Sequence, residues 1–317
     1  MITLAIDDGY GLGKWAKREN NEIKFGSYIS AYADAPNSAD DMPLFEGKRY
    51  YTGDIALMED SSNIKNIIDY KEHESFAPLS IWNILNELEI DKKDIKMLGI
   101  GLSLAQKDYV NAFLKRVTKF KVNNETFDFK DRISLTPQGV SAKYAIDHFY
   151  SLKDKTYSII DIGLLTVDVV TVINGKVRRE NANGIANEGV IKILQDIQEL
   201  VADKYNEVIS LKEAQEILKN KEFFSGQVHS LEKEIKEFIN SYNIFISASL
   251  SQRYKNIFKK YPQIYFVGGG AYYISKDLIV KKTNALKERI IIPKNPEYYN
   301  AIGSLLIAEN LLKKEES

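Results

Sequence analysis

Two short acidic turns offer the clearest chemistry in this sequence. Each has an aspartate, one intervening residue and a glycine, at 7–9 and again at 161–163. Glycine lets the backbone turn tightly and bring its N–H groups close to an anion, while the carboxylate extends past it towards a metal. A single Asp-x-Gly is a common turn at the end of a strand, but two matched copies are harder to dismiss. The pattern therefore suits a metal-bound phosphate.

The elements around the two turns repeat as well. Each turn follows a short apolar strand and precedes two more strands, so the copies occupy 2–29 and 157–179. In both, an asparagine turn comes 13 residues after the aspartate, from 7 to 20 and from 161 to 174. Asn174-Gly175 is a strong signal for a type I′ hairpin. The repeat predicts a chain built as two similar halves.

Outside the repeat the sequence predicts mostly helices, with short strands between them. Apolar spacing and capping residues place helices over 78–88, 103–117, from 138, over 188–201, from 210, over 228–258 and over 301–312. Buried strands are predicted over 96–102 and 264–267, the second ending in three glycines. This alternation predicts an α/β protein.

Composition excludes several kinds of function. The chain has no cysteine, so disulfides, thiolate zinc sites and cysteine nucleophiles are excluded, and its three histidines do not form a metal-spaced pair. We expect His73, His148 and His229 to have surface or packing roles. A net charge of -1 disfavours direct binding to nucleic acid. The sequence contains no apolar run of the ~20 residues that cross a bilayer, so we expect a cytoplasmic protein without membrane contact.

Five motifs, in this order, resemble the nucleotide motifs of the actin, sugar-kinase and heat-shock-chaperone superfamily. They are phosphate motif one (7–14), connecting motif one (136–140), phosphate motif two (161–168), the adenosine motif (267–271) and connecting motif two (300–303). The paired aspartates before Gly9, the position of Lys14 and the Gly-Gly-Gly-Ala segment are similar to the ParM family of bacterial and plasmid actin homologues.

The resemblance implies an actin-like, ribonuclease H-like α/β fold. Such a fold has two similar domains, each a mixed five-stranded-type sheet flanked by helices, with a nucleotide cleft between them. We expect domain I to contain 1–155 and a C-terminal helix over 300–317, and domain II to contain 156–299.

The resemblance also implies an ATPase whose hydrolysis controls the turnover of a filament that segregates plasmid DNA through a DNA-binding adaptor. ATP is the expected nucleotide, with GTP as an alternative, and Mg²⁺ is expected to be held by Asp7 and Asp161, mostly through water. Gln138 is expected to orient the attacking water and Asp161 to act in catalysis. The expected phosphate- and nucleotide-binding residues are Asp7, Gly9, Lys14, Gly163, Thr166, Glu188, Gly268, Gly269 and Gly270.

One departure from the family pattern keeps two alternatives open. Leu164-Leu165 fills a stretch of phosphate motif two that is usually glycine-rich, and leucine does not visit positive φ as glycine does. A nucleotide-gated binding module without filaments or appreciable turnover is one alternative. A small-molecule kinase is the other, although it requires a carboxylate base and Gln138 cannot take a proton at neutral pH.

Overall fold

The computed structural model describes residues 1–59, 64, 65, 67, 69–152, 155–178, 180, 182–254 and 256–315. The chain forms two compact units: unit 1 contains Met1–Lys153 and Glu297–Ser317, and unit 2 contains Asp154–Pro296. In the described part of the chain, no helix combines the length and the hydropathy that a membrane span requires.

Unit 1 is built on a five-stranded mixed sheet. Its strands are β1 (Ile2–Asp7), β2 (Leu12–Glu19), β3 (Glu22–Ile29), β4 (Tyr32–Ala35), β5 (Leu44–Phe45), β6 (Lys48–Thr52), β7 (Ile95–Leu102), β8 (Lys119–Val122), β9 (Glu125–Asp128) and β10 (Ile133–Pro137). Its first helices are α1 (Gly53–Glu59), α2 (Tyr70–Glu87), α3 (Val110–Thr118) and α4 (Val140–Tyr150). The main sheet has the order β10-β7-β1-β2-β3, and two small sheets contain β4-β6-β5 and β8-β9.

Unit 2 has a six-stranded sheet. Its strands are β11 (Tyr157–Ile162), β12 (Thr166–Ile173), β13 (Lys176–Val177), β14 (Asn183–Ala186), β15 (Glu222–Ser225), β16 (Gln227–Ser230), β17 (Ile264–Val267) and β18 (Ile290–Ile291). Its helices are α5 (Ile191–Tyr205), α6 (Leu211–Asn220), α7 (Glu232–Arg253), α8 (Ile257–Lys260) and α9 (Lys276–Thr283). The sheet order is β13-β12-β11-β17-β18, with β14 beside β12 and the hairpin β15–β16 separate from it.

The two main sheets repeat one plan. In unit 1 the first two neighbours pair antiparallel (β1 with β2, β2 with β3), while β7 lies parallel to both β1 and β10. In unit 2 β11, β12, β13, β17 and β18 take the same places in the same directions. Asn174 and Gly175 have φ of 50° and 73°, which confirms the predicted turn. The third strand of this copy ends at Val177, and Arg179 lies outside the described residues.

Helix α10 (Tyr299–Glu315) returns the end of the chain to unit 1. It packs across α4 at a very short distance, since a Cβ on Gly303 would lie 1.7 Å from the Ser141 carbonyl oxygen. Asn300, buried in the first turn of α10, accepts hydrogen bonds from the Gly139 N–H at 2.9 Å and the Ser141 hydroxyl at 3.0 Å. The two segments predicted as connecting motifs therefore hold each other inside one unit.

Two sequence predictions about helices are wrong in detail. Val228 was expected on a long helix, but it lies in β16, and α7 begins only at Glu232. Gly226 has a φ of 69° and turns the chain between β15 and β16. This segment therefore forms a hairpin and not the first part of a helix. The helix expected from Ser103 begins as a 3₁₀ turn over Leu104–Tyr109. Its α-helical part, α3, is shorter than the apolar spacing indicated.

Candidate functional site

Asp7 is the central acidic residue of phosphate motif one. It ends β1, and its side chain is almost fully buried. The Gln138 amide donates to Asp7 Oδ1 at 2.5 Å, and Lys14 Nζ lies 3.9 Å from Asp7 Oδ2. Burial raises the pKa of the Asp7 carboxyl, while Lys14 and Gln138 act to lower it. The structure thus brings three predicted site residues together around one buried carboxylate.

Gly9 allows the loop after β1 to fold tightly. A Cβ at this position would lie 2.5 Å from the Leu12 carbonyl oxygen and 2.7 Å from Lys14 Nζ. The backbone of Gly9 does not have positive φ. Glycine is required here because the loop and the lysine approach so closely that a Cβ would not fit. The ability of glycine to adopt positive φ plays no part at this position.

Asp8, the second aspartate of the pair, has a different environment that the sequence did not reveal. The Tyr28 hydroxyl donates to Asp8 Oδ1 at 2.6 Å. His73 Nε2 lies 2.8 Å from the Asp8 carbonyl oxygen and 3.2 Å from Asp8 Oδ2, and the His73 ring stacks on Tyr10 at 4.6 Å. His73 belongs to α2, so a helix that is distant in sequence holds the loop that follows β1. His73 therefore has a structural role in which polar contacts with Asp8 add to ring stacking on Tyr10.

The charge on His73 depends on this contact. Burial lowers the pKa of the imidazole, but the Asp8 carboxylate and its hydrogen bonds raise it, and the net effect is a pKa above the ordinary value. Asp8 and His73 are each about 5% exposed, so water screens the pair weakly. Asp8 is therefore a structural anchor, and the metal and phosphate contacts of Asp7 stay a prediction.

Phosphate motif two places a second carboxylate where unit 1 has a lysine. Asp161 lies in β11, buried, and its Cα partner across the hairpin is Asp168, which is 1% exposed. The matching pair in unit 1 is Asp7 and Lys14. Asp168 was not among the predicted site residues. The equal spacing of the repeat, seven residues in both copies, was the signal that could have identified it.

Leu164 and Leu165 have a clear structural role. Leu165 is buried and Leu164 packs against the core of unit 2. The carbonyl oxygens of Gly163 and Leu164 accept hydrogen bonds from Val190 N at 3.1 Å and Ile191 N at 2.8 Å. These donors lie at the start of α5, where helix N–H groups have no partner within the helix. The loop is therefore fixed to α5 by its backbone, and its leucines replace the usual glycines as hydrophobic anchors.

Two other predicted residues of unit 2 have distinct surroundings. The Gly163 N–H donates to the Thr166 carbonyl oxygen at 2.9 Å, which closes the loop. Glu188 is buried, with Oε2 accepting from the Ser249 hydroxyl at 2.5 Å and Oε1 2.8 Å from Arg253 Nη2. Its carboxylate is thus already satisfied by α7. A contact of Glu188 with a ribose or base stays a prediction.

The glycines of the adenosine motif pack directly on phosphate motif two. Gly268 has φ of 81°, and a Cβ there would lie 2.4 Å from Asp161 Oδ1 and from the Ile162 carbonyl oxygen. A Cβ on Gly270 would meet the Ile162 side chain at 2.2 Å, whereas Gly269 has no atom within 4 Å of that position. Gly268 and Gly270 are therefore required for packing, and Gly269 is open.

The donors present fit the metal that the resemblance implies. Each unit has one such donor, a buried carboxylate at or next to the last residue of its first strand, Asp7 in unit 1 and Asp161 in unit 2. Carboxylates of this kind bind Mg²⁺ together with waters and substrate phosphates. Within the described residues, no group of three or more His, Cys, Asp or Glu side chains is arranged to hold a metal by itself.

Comparison with known proteins identifies the fold of this chain. The family model of the archaeal actin homologue MreB-like C-terminal domain matches residues 159–279. A 15-stranded ParM filament from Clostridium botulinum is similar over 98% of this chain and 99% of that chain, with a TM-score of 0.76 and 22% identity. This chain has the actin-like fold of ParM. The predicted fold class and the predicted resemblance to ParM-like actin homologues are thereby confirmed.

Other solved actin-like structures agree. A non-polymerisable quadruple mutant of pCBH ParM gives a TM-score of 0.77 at 20% identity, over 98% of this chain and 99% of that one. The archaeal actin homologue Ta0583 in complex with ADP gives 0.74 at 19% identity, over 98% and 100%. No curated protein sequence matches the chain significantly.

Proposed function

We propose that this actin-like chain binds ATP with Mg²⁺, hydrolyses it, and assembles with further copies of itself into a filament whose turnover hydrolysis controls. One observation carries the proposal: the same strand plan occurs twice, and each copy has a buried aspartate at or next to the last residue of its first strand, followed by a glycine loop. An ADP complex and a filament among the similar structures support both parts of the proposal.

Lys14 and Gln138 of unit 1 have separate roles in phosphoryl transfer. Lys14 supplies positive charge for the phosphates beside Asp7. Because the Gln138 amide nitrogen donates to Asp7, the amide oxygen of Gln138 is the atom that accepts a hydrogen bond from the attacking water. Glutamine orients that water without taking its proton, which favours hydrolysis over transfer to an acceptor hydroxyl and so disfavours the kinase alternative.

The residues of unit 2 complete the nucleotide contacts. The Thr166 hydroxyl and the backbone of Gly269 and Gly270 would contact phosphate and adenosine, while Gly163 and Gly268, whose N–H groups are bonded within the unit, would shape the loops around them. Asp7 and Asp161 would hold Mg²⁺, which when bound neutralises charge on the phosphates. The tight packing of Gly268 on Asp161 fixes the carboxylate that acts in catalysis.

We further propose that the filament acts in the cytoplasm and moves plasmid DNA through a separate DNA-binding adaptor. The net charge of -1 supports an adaptor, because the chain has no overall positive charge with which to hold DNA itself.

Sedimentation with ATP, ADP and a slowly hydrolysed ATP analogue, combined with phosphate release, tests the proposal. We expect pelleting with ATP, longer-lived polymer with the analogue, and little pelleting with ADP. Asp161→Ala should abolish ATP-dependent pelleting, whereas Glu22→Gln, at the exposed start of β3, should not change it. A chain that stays monomeric with ATP contradicts the filament, and tight ATP binding without phosphate release would favour the nucleotide-gated module.

A further inference from the structure

Hairpin β15–β16 presents two apolar side chains to solvent. Phe224 and Val228 are Cα partners across the hairpin, and they are 68% and 63% exposed. Glu222 and Ser230 form the next exposed pair on the same face, because side chains alternate between faces along a strand. This outward face has an apolar centre and an acidic residue at its edge.

The opposite face fixes the hairpin to unit 2. Phe223 and His229 pack on Tyr205 of α5, with ring centroids 5.0 Å and 4.7 Å apart. The Ser225 hydroxyl donates to the carboxylate of Glu207, which follows α5. An isolated two-stranded hairpin is marginally stable, so these contacts are what hold it in place. The exposed pair is therefore presented on a rigid support.

A groove in unit 1 has the complementary character. Its volume is about 650 Å³, and none of the predicted nucleotide-binding residues lines it. Four cationic side chains line it, Lys115, Arg116, Lys119 and Lys121, together with the carboxylates of Glu46 and Glu74, and the two aromatic side chains of the lining are almost fully buried.

The charge of this groove is only partly neutralised. Arg116 lies 2.5 Å from Glu46, and Lys119 lies 2.8 Å from Asp128. Over the described residues, no carboxylate lies within ion-pair distance of Lys115 or Lys121. With four cationic side chains against the carboxylates of Glu46, Glu74 and Asp128, the groove keeps a small excess of positive charge for an acidic partner.

We propose that the hairpin of one copy inserts Phe224 into the groove of a second copy, with Glu222 facing Lys121. The two surfaces match in sign of charge, and the exposed Ala112 and the aliphatic stems of the lining lysines provide apolar contact for Phe224. Two different surfaces of the same chain form a head-to-tail contact, which continues into a polymer when the rotation between copies does not close a ring. This contact rests on the proposed function, since it assigns surfaces through which the filament would join.

Cross-linking tests the contact directly, because the chain has no cysteine of its own. Val228→Cys and Ala112→Cys place one thiol on the hairpin and one in the groove. With ATP and a short thiol cross-linker, the double variant should give a ladder of dimers, trimers and longer species. Each single variant should stay uncross-linked, and a mixture of the two single variants should give dimers only.

Charge reversal provides a second test. Glu222→Lys and Lys121→Glu should each raise the critical concentration for pelleting about tenfold, and the double variant should recover most of that loss. Phe224→Ser should also raise it about tenfold, whereas Met58→Ser, an exposed apolar residue of α1, should not change it.

The outcomes separate this contact from the proposed function. Pelleting of the unmodified chain with ATP tests filament formation alone. If the unmodified chain pellets but the double cysteine variant gives only an internal cross-link or none, or the charge reversals have no effect, the contact is overturned and the filament is not. An unchanged critical concentration in Lys121→Glu would mean that the hairpin does not bind this groove, and an acidic segment of another protein would then be its expected partner. A chain that neither pellets nor cross-links overturns both.

Discussion

The acidic loops of the two units share a backbone plan and differ in what surrounds the carboxylate. In unit 1, Asp7 pairs with Lys14 and is held by Gln138; in unit 2, the corresponding Asp161 pairs with a second carboxylate, Asp168. A lysine beside the first aspartate partly balances its charge. In unit 2 the residue at the position of that lysine is itself acidic, so the two copies of the repeat differ in charge at this position.

The loops are also anchored by different means. In unit 1 the anchor is a polar side-chain network, in which His73 from α2 binds the carbonyl and carboxylate of Asp8. In unit 2 the anchor is backbone hydrogen bonding to the start of α5, supported by the buried side chain of Leu165. The repeat thus preserves strand order and the position of the aspartate, while each copy has its own way of holding the loop.

The largest expected effect is on ATP hydrolysis, and it comes from replacing Asp7 or Asp161 with asparagine, one at a time. Asp7→Asn and Asp161→Asn should each lower the rate of ATP-dependent phosphate release by about 10²–10³-fold, because each removes a charge placed for the metal-bound phosphates. Thermal unfolding should confirm that both variants stay folded. An effect confined to one variant would show that the two loops are not functionally equivalent.

Breaking the polar anchor of unit 1 should cost stability. His73→Leu should lower the free energy of unfolding by about 3 kcal/mol, because the buried Asp8 carboxylate loses the imidazole that faces it and keeps the Tyr28 hydroxyl. His73→Gln keeps a hydrogen-bond donor and should lose clearly less. Urea unfolding measures both variants, and equal losses would mean that ring packing, not the contact with Asp8, is what matters.

Breaking the glycine packing of unit 2 should have a somewhat smaller effect. Gly268→Ala should cost about 1–3 kcal/mol, because a Cβ there meets Asp161 and Ile162 and the backbone has positive φ. Gly269→Ala is the matched control and should change stability by less than about 0.5 kcal/mol. Similar losses in the two variants would contradict the packing of Gly268 on the loop.

The smallest expected effect is a pH dependence specific to unit 1. The pKa of His73 is raised in the folded chain, so the stability from its charged form is fully present below the ordinary value of 6.5. That contribution is lost as the pH rises through the higher folded pKa. Urea unfolding from pH 6 upwards should show this loss in the unmodified chain and not in His73→Gln. Parallel curves for the two proteins would contradict it.

The hairpin shows how local sequence misleads. Val228 has the apolar spacing of a helix, yet the turn at Gly226 and the packing of Phe223 on Tyr205 make its segment a strand. Similarly, nothing near His73 in sequence indicates Asp8, 65 residues away along the chain. Such contacts depend on tertiary packing, and neither residue spacing nor propensity contains them.

By itself the sequence determined the repeated strand plan and the Asn-Gly turn, because glycine, asparagine and strand periodicity act locally and recur at equal spacing. The actin-like fold was predicted from the resemblance of five motifs to a known superfamily. Tertiary structure alone decided that Asp8 is buried as an anchor beside Asp7 and that the Leu164-Leu165 loop is bound to the start of α5. The physical reason is that the environment of a carboxylate is set by burial and by partners from distant elements, which no short segment of sequence specifies.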